Sequence, residues 1–205
     1  MPRASKATAD KQPLVYQFKI TLRHVKPPIW RRIQVLDGTL DELHEHIQAA
    51  MGWTNSHLHQ FVIRGERYGD PELLNDGLGD DGETLDSTKM KLSVLLAQTR
   101  KSTKFRYEYD FGDGWEHEVV FEGASAAEPG VRYPLCIKGA RACPPEDCGG
   151  PWGYGDFLQA IRDPKHESHD DMLEWIGGSF DPEKFSPDSI TKDMNRGLPN
   201  WRDLR

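Results

Sequence analysis

The sequence has little positive charge and no long apolar run, and each shortage excludes a class of protein. Its 205 residues include 26 lysines and arginines against 33 aspartates and glutamates, for a formal net charge of −7. Surfaces that bind phosphate are usually strongly basic, so this balance argues against a protein that binds nucleic acid through charge. No segment approaches the roughly 20 apolar residues of a membrane span or the apolar core of a signal peptide, which predicts a cytoplasmic protein without a membrane partner.

Cysteine is also scarce, because only Cys136, Cys143 and Cys148 are present, all within 13 residues of one another. An odd number without a signal peptide argues against a disulfide framework, so these residues are predicted to be free thiols or metal ligands. Their spacing does not match the paired C-x-x-C of zinc ribbons, and three thiolates need a fourth ligand. His166 and His169 are the nearest downstream histidines that could supply it. Small buried thiols and a zinc site both remain open.

The chain does contain enough apolar material for a packed core, since 37% of its residues are hydrophobic, including six Trp, six Tyr and eight Phe. Residues 1–12 are polar and aperiodic, which predicts a flexible tail. Residues 13–205 are predicted to form a single α+β domain. Within it, 13–123 is expected to be a sheet-rich core with one helix. Residues 124–205 are expected to hold a structured loop rich in cysteine, proline and glycine, followed by about three helices.

The order of elements at the start of the domain is typical of a β-grasp sheet. Alternating apolar residues predict strands at 14–22, 29–36 and 58–63, and a helix with a capping box is predicted from 39 to 52. A hairpin over 104–122 adds two more strands. The sequence therefore predicts a mixed or antiparallel sheet of about five strands, beginning β-β-α-β and packed against helices. The acidic segment that follows the third strand, residues 69–88, is predicted to be a solvated loop, because its spacing does not match a calcium-binding EF-hand.

The hairpin over 104–122 has a register that can be derived from its aromatic residues. A three-residue Gly-Asp-Gly turn would pair Phe111 with Trp115 and Tyr109 with His117, so that all aromatic side chains share one face. His117 is then expected to be an inward-facing core histidine.

The same register gathers carboxylates on the opposite face of the hairpin, where like charges directly across from one another are destabilising. These carboxylates belong to Glu108, Asp110, Glu116 and Glu118. Two interpretations remain open. Lysine and arginine side chains could cover the face, or the carboxylates could hold a hard cation such as magnesium or calcium in a catalytic or ligand-binding site.

Five motifs in a fixed order make the sequence recognisable. They are PPIWRR at 27–32, GWTNSHLHQF at 52–61, YDFGDGWEHEV at 109–119, ACPPEDCGGPWGY at 142–154 and DPKHESHDDMLEWIGGSFDPEKF at 163–185. Together they resemble the plasmid pRiA4b open-reading-frame-three-like family over about residues 14–198. The resemblance implies an α+β domain and no biochemical activity that can be carried over to particular residues.

Some members of that family carry a transposon-resolvase label, which adds a mobile-element protein that associates with DNA as a further alternative. The acidic composition and the lack of a serine- or tyrosine-centred recombinase constellation argue against it. Arg31 and Arg32 would be the residues to replace in a test of DNA binding.

A ligand pocket is expected where the turn after Tyr109 meets the loop that follows the second cysteine, because both are rich in aromatic and acidic side chains. The candidate ligand-binding residues are Asp110, Asp113, Trp115, Glu146, Asp147, Trp152 and Tyr154. The first functional hypothesis is a binding or interaction module for a small ligand or a protein, since no nucleophile elbow, phosphate loop or HExxH motif occurs. The alternative is a metal-dependent, hydrolase-like enzyme that holds zinc or another divalent cation through the carboxylates or through a Cys/His site.

Overall fold

The structure is a computed structural model that describes residues 12–75, 83–97 and 102–198, and these residues form one eight-stranded sheet. The strands are β1 (Leu14–Leu22), β2 (Trp30–Leu36), β3 (His59–Ile63), β4 (Glu66–Gly69), β5 (Thr84–Asp86), β6 (Thr103–Tyr109), β7 (Trp115–Ala126) and β8 (Leu135–Ala140). The helices are α1 (Leu40–Met51), α2 (Pro71–Leu74), α3 (Leu92–Leu96), α4 (Gly150–Arg162), α5 (His169–Trp175) and α6 (Pro187–Arg196). The strands lie side by side in the order β5-β4-β3-β6-β7-β1-β2-β8. Neighbouring strands are antiparallel except β4 and β5, which run parallel.

The prediction of about five strands was wrong, because the described residues contain eight. The element order at the start, β1-β2-α1-β3, agrees with the sequence. The three additional strands are β4, β5 and β8. Strands β4 and β5 have only four and three residues, too few for an alternating pattern to stand out, and β5 lies inside the segment predicted to be an acidic loop. Strand β8 lies inside the predicted cysteine loop, where prolines and glycines on both sides obscured it.

Helix α1 covers one face of the sheet and closes the core. Thr39 and Glu42 form the predicted capping box at its start, and Gly52 ends it in the left-handed conformation. Leu43 and Ile47 recur at helical spacing and are fully buried. Polar side chains of α1 also reach the sheet, since Gln48 Nε2 donates a 2.9 Å hydrogen bond to the hydroxyl of Tyr107 on β6. This bond fixes the helix relative to the strand that leads into the candidate site.

The β6–β7 hairpin keeps its predicted faces but not its predicted register. Tyr109 pairs with Trp115 and Tyr107 pairs with His117, a shift of two residues, so the turn contains five residues instead of three. The cause is Asp110, which leaves the strand in the left-handed conformation with φ 53°. Its carboxylate Oδ1 accepts hydrogen bonds from the backbone N–H groups of the turn, at 3.0 and 3.2 Å. This side-chain cap stabilises a wider turn than the glycines alone predict.

The three C-terminal helices pack in two places. Helix α6 begins after the Ser186 cap and packs against α1 and β8. Helix α4 starts at Gly150 and packs against α5. Among the described residues, no helix has the length and apolar character needed to cross a bilayer. The predicted flexible tail lies outside the described residues, apart from Gln12.

Candidate metal centre

Three irregular segments meet at the end of the sheet where β6 stops. They are residues 52–58 after α1, residues 110–114 between β6 and β7, and residues 144–150 before α4. The first and third are joined by the indole of Trp53, whose Nε1 donates a 2.9 Å hydrogen bond to the carbonyl oxygen of Pro144. The indole also stacks on the ring of Tyr109, the last residue of β6, with centroids 5.0 Å apart.

The second and third segments touch through a glycine. A Cβ atom at Gly150 would lie 2.1 Å from the carbonyl oxygen of Asp113, and Gly150 has φ +70°. Both the space and the backbone conformation therefore require glycine at this position. The close contact sets the distance between the β6–β7 turn and the segment before α4.

Glu146 fastens the same two segments to the loop after α1. Its Oε2 accepts hydrogen bonds from the backbone N–H of Thr54 at 3.0 Å and from the Thr54 hydroxyl at 2.5 Å, and its Oε1 accepts one from the hydroxyl of Tyr109. Burial and the hydrogen bond to Glu146 together raise the pKa of Tyr109 well above its ordinary value, so the phenol remains a donor. Glu146 is therefore committed to holding the loops together.

The convergence of these segments brings His57, Asp110 and Asp147 into one cluster, with one segment supplying each residue. His57 Nε2 lies 3.0 Å from Asp147 Oδ1 and 3.6 Å from Asp110 Oδ2. One potential ligand atom from each of the three residues lies within 4.8 Å of the other two. Among the described residues, no other group of three or more His, Cys, Asp and Glu side chains meets this condition. An imidazole with two carboxylates is a ligand set that divalent transition metals accept.

Two further properties distinguish this cluster. His57 Nε2 is shielded from solvent and makes no aligned hydrogen bond, although it lies close to both carboxylates. Buried polar atoms normally have a partner, so an unpartnered nitrogen facing two carboxylate oxygens needs an explanation. Asp110 is 7% exposed whereas the Asp147 side chain is 69% exposed, so one side of the cluster opens to solvent.

The imidazole of His57 is positioned from α1. Asn55 adopts the left-handed conformation with φ 60°, and its backbone N–H donates a 3.1 Å hydrogen bond to Gln48 Oε1. Its side-chain Oδ1 lies 2.7 Å from His44 Nε2. His57 then rests edge-on against Tyr109, with ring centroids 5.8 Å apart. The loop is therefore held by its own backbone and by polar side chains of the helix.

Comparison with known proteins places this chain within a family. Residues 14–189 match the family described as plasmid pRiA4b ORF-3-like protein. The chain belongs to this family. It is 43% identical over 189 residues to the uncharacterized protein y4hQ of Sinorhizobium fredii, an alignment that covers 91% of this chain and 94% of that protein. It is also similar to the crystal structure of a protein of unknown function, MM3350, from Methanosarcina mazei Go1, with a TM-score of 0.74 and 38% identity over 86% of this chain and 97% of the other.

The family membership inferred from five motifs is thus confirmed, and three of those motifs meet at the cluster. His57 lies in GWTNSHLHQF, Asp110 in YDFGDGWEHEV and Asp147 in ACPPEDCGGPWGY. Three of the five motifs that carry the family resemblance therefore also build the candidate metal centre.

The other predicted ligand residues lie around the cluster but face different surroundings. Trp115 is buried and packs against Trp53 at 5.7 Å, so it belongs to the core. Trp152 is 83% exposed, and Tyr154 is buried, which raises its pKa to about 12. Asp113 lies in the turn, where its Oδ2 is shielded from solvent without a hydrogen-bond partner.

His57 was absent from the predicted site. No spacing in the sequence relates it to Asp110 or Asp147, and its neighbours His44 and His59 are equally prominent. The available signal was its position in an irregular segment between a helix end at Gly52 and a strand, since functional side chains concentrate in such loops. His117 is inward-facing, as predicted, and burial lowers its pKa to about 3.

The cysteines form no such cluster. Burial raises the pKa of Cys136 to about 11 and that of Cys148 to about 12, and it raises the pKa of Cys143 well above its ordinary value. All three are free thiols, and no group of three or more potential ligands among the described residues includes any of them. The zinc site stays a prediction without support from this geometry.

The two histidines proposed to complete that zinc site have local backbone partners. His166 Nδ1 accepts a 3.2 Å hydrogen bond from the backbone N–H of Ser168, and His169 Nδ1 lies 2.8 Å from the carbonyl oxygen of Ala160. Both contacts fix the connection between α4 and α5, which is a structural role.

The glutamates on the outer face of the hairpin are covered by basic side chains, as the first of the two interpretations predicted. The pairs are Glu108 with Arg106 at 2.5 Å, Glu116 with Arg23 at 2.9 Å and Glu118 with Lys104 at 2.9 Å. Asp110 is the exception, because its left-handed backbone turns it away from this face and toward His57.

Neither arginine of the PPIWRR motif offers its guanidinium to a phosphate. Arg31 is buried and donates 2.9 Å hydrogen bonds to the carbonyl oxygens of Trp30, Ala50 and Ala140. Arg32 forms a bidentate ion pair with Glu122, with N–O distances of 2.7 and 2.8 Å. DNA association stays a prediction that these two residues do not support.

Proposed function

We propose that this protein is a binding module built around a divalent cation, which His57, Asp110 and Asp147 hold. The observation that carries the proposal is the convergence of one imidazole and two carboxylates from three separate segments, with ligand atoms within 4.8 Å of one another. The shielded Nε2 of His57 supports it, because this nitrogen makes no aligned hydrogen bond and a cation between it and the two carboxylates would supply its missing partner.

The ligand types narrow the choice of ion. Imidazole suits zinc, iron and nickel better than calcium or magnesium, whereas carboxylates also accept manganese, magnesium and calcium. Three protein ligands are fewer than the four of a structural zinc site, so solvent or a bound ligand would occupy the remaining positions. The exposed side of Asp147 gives such a ligand a route to the ion. The cation would therefore serve recognition of a ligand and not only stability.

A metal titration tests the proposal. The full chain would be freed of metal with a chelator, then titrated with Mn²⁺ followed by electron paramagnetic resonance and with Zn²⁺ followed by calorimetry. We expect one ion per chain, and an affinity at least about tenfold lower in His57→Ala and Asp147→Asn. Glu118→Gln removes the same charge from the paired outer face and is the matched control, which should bind as wild type does.

Two results would overturn the proposal. If neither Mn²⁺ nor Zn²⁺ binds to the wild-type chain, the protein is not a metal module of this kind. Binding that survives in His57→Ala but disappears in Cys143→Ser would move the metal to the cysteine segment and favour the zinc site predicted from the sequence.

A metal-dependent hydrolase is the second candidate, and the small number of protein ligands favours it. Catalytic metal sites keep an open position for a water molecule, whose pKa the ion lowers. The test is hydrolysis of p-nitrophenyl phosphate and p-nitrophenyl acetate by the Mn²⁺- and Zn²⁺-loaded chain, with His57→Ala treated identically. Turnover that is absent in the variant supports the enzyme. Equal rates in both proteins reject this candidate and leave the binding module.

A further inference from the structure

A second feature lies beside the metal cluster and has a different chemistry. A cavity of about 440 Å³ opens between residues 147–149, the first three turns of α4, the connection after α4 and helix α5. Pockets for small organic ligands typically span about 300–1,000 Å³, so this volume fits a single compact molecule. The cavity shares only Asp147 with the cluster, and it extends away from the ion ligands along α4.

The wall of the cavity is mainly apolar. Phe157 and Ala160 of α4 form its buried side, and Met172 and Trp175 of α5 form the other. The rings of Phe157 and Trp175 meet edge to face with centroids 5.7 Å apart. Trp175 is 46% exposed, although a tryptophan side chain is normally well buried. A large aromatic ring left open at the mouth of a cavity supplies contact area to a ligand.

The charged groups of the wall have a single sign. Asp147 and Asp156 line the cavity, and none of the described lining residues is lysine or arginine. His166 also lines it, with Nδ1 occupied by the backbone N–H of Ser168. Carboxylates beside aromatic rings favour a protonated amine, because the cation is attracted both to the carboxylates and to the ring faces.

We infer that this cavity binds a small organic amine with an aromatic or branched apolar body. The body would lie against the wall that Phe157 and Trp175 form together, and the ammonium group would face Asp156. Asp147 is shared with the metal cluster, so Asp156 carries the recognition when an ion occupies the cluster. The inference rests on the cavity and its charges and does not depend on metal binding.

Three probes with the same body and different charge test the inference. Uniformly labelled full-length protein would be titrated with 2-phenylethylamine, 2-phenylethanol and 3-phenylpropionate while amide and indole chemical shifts are followed. We expect saturable shifts in 147–149, α4 and α5 with the amine, and affinities about fivefold lower for the alcohol and lower still for the acid. Asp156→Asn should lose about fivefold in amine affinity and Trp175→Ala about tenfold, whereas the neighbouring Glu174→Gln should not change it.

The outcomes separate this inference from the metal proposal. His57→Ala should keep the amine site, and loss of amine binding in that variant would place the amine at the metal cluster and overturn the inference. Equal affinity for amine and acid, shifts confined to other segments, or no saturation with any probe would each overturn it as well. None of these results depends on whether the metal titration succeeds.

Discussion

The glutamates on the outer face of the sheet and the aspartates at its loop end carry the same charge in different surroundings. Each outer-face glutamate has a lysine or arginine partner, and Glu122 is bound twice by Arg32. Asp110 and Asp147 instead share His57, and no lysine or arginine from the described ranges lies within 4.0 Å of either carboxylate.

The difference follows from how each group is brought together. Regular strands place side chains from neighbouring positions on one face, so basic and acidic residues meet directly, as Lys104 of β6 and Glu118 of β7 do. The loop cluster is assembled by long-range contacts, such as those of Trp53 with Pro144 and of Thr54 with Glu146. These contacts hold the loops so that two carboxylates lie beside one imidazole. Counting acidic residues does not distinguish a covered surface from a cation site, whereas counting their partners does.

The largest expected effect on stability and on cation affinity comes from separating the β6–β7 turn from the segment that leads into α4. Gly150→Ala would place a methyl group against the carbonyl oxygen of Asp113 and force a side chain into a left-handed conformation. We expect the free energy of unfolding to fall by about 2–4 kcal/mol, and the cation affinity to fall with it, because Asp147 would move away from Asp110. Urea unfolding and the Mn²⁺ titration measure the two effects.

The control is a glycine of the same helix. Gly155 lies in α4 with nothing within 4 Å of an added Cβ. Gly155→Ala should therefore leave the cation affinity unchanged and increase the free energy of unfolding by up to about 1 kcal/mol, through helix propensity. Equal cation affinities in both variants would show that the close contact at Gly150 does not position the cluster.

The next effect compares one carboxylate from each region. Glu122→Gln would remove a partly buried, two-pronged partner of Arg32 and should cost about 1–2 kcal/mol of unfolding free energy. Asp147→Asn in metal-free protein should cost less than about 0.5 kcal/mol, because its exposed carboxylate lacks an aligned hydrogen bond to His57. Thermal or urea unfolding of both variants measures the two losses of unfolding free energy. Equal losses would mean that His57 and Asp147 form an ordinary ion pair, which would weaken the case for a cation.

The regular elements were predictable because apolar periodicity and caps are local. Helix α1 with its capping box follows from residues within one turn of each other. The faces of the β6–β7 hairpin were also predictable, since a shift of two residues leaves every side chain on its original face. The register was not, because Asp110 widens the turn through bonds that only the folded turn contains.

The candidate site was only partly predictable for the same reason. Asp110 and Asp147 were recognised as acidic residues in conspicuous loops, whereas His57 reaches them through contacts between residues about 90 positions apart. Trp53 with Pro144 and Thr54 with Glu146 are such contacts, and no spacing rule in a single sequence predicts them.

A smaller effect is the pH dependence of the stability that the Arg32–Glu122 pair gives to the outer face of the sheet. The Arg32 guanidinium beside Glu122 holds the pKa of that carboxyl below its ordinary value of 4.5. A lowered folded-state pKa gives stability that is present above the unfolded pKa and is lost as pH falls through the folded value. The difference in unfolding free energy between wild type and Glu122→Gln should thus be full at pH 7 and shrink as the pH falls below 4.5 and through the folded-state pKa. Urea unfolding at pH 7, 5 and 3 measures it, and a gap that widens at low pH would contradict this assignment.

The smallest effect tests whether solvent exposure determines how much an ion pair contributes to the free energy of unfolding. Lys104 and Glu118 lie 2.9 Å apart with side chains 60% and 43% exposed, whereas Arg32 and Glu122 are 26% and 23% exposed. Glu118→Gln should therefore change the free energy of unfolding by no more than about 0.5 kcal/mol, and less at high salt, because solvent screens the pair. If its loss in urea unfolding equalled that of Glu122→Gln, the outer face would act as one coupled charge network. The contrast with the loop cluster would then depend on the whole face and not on its individual pairs.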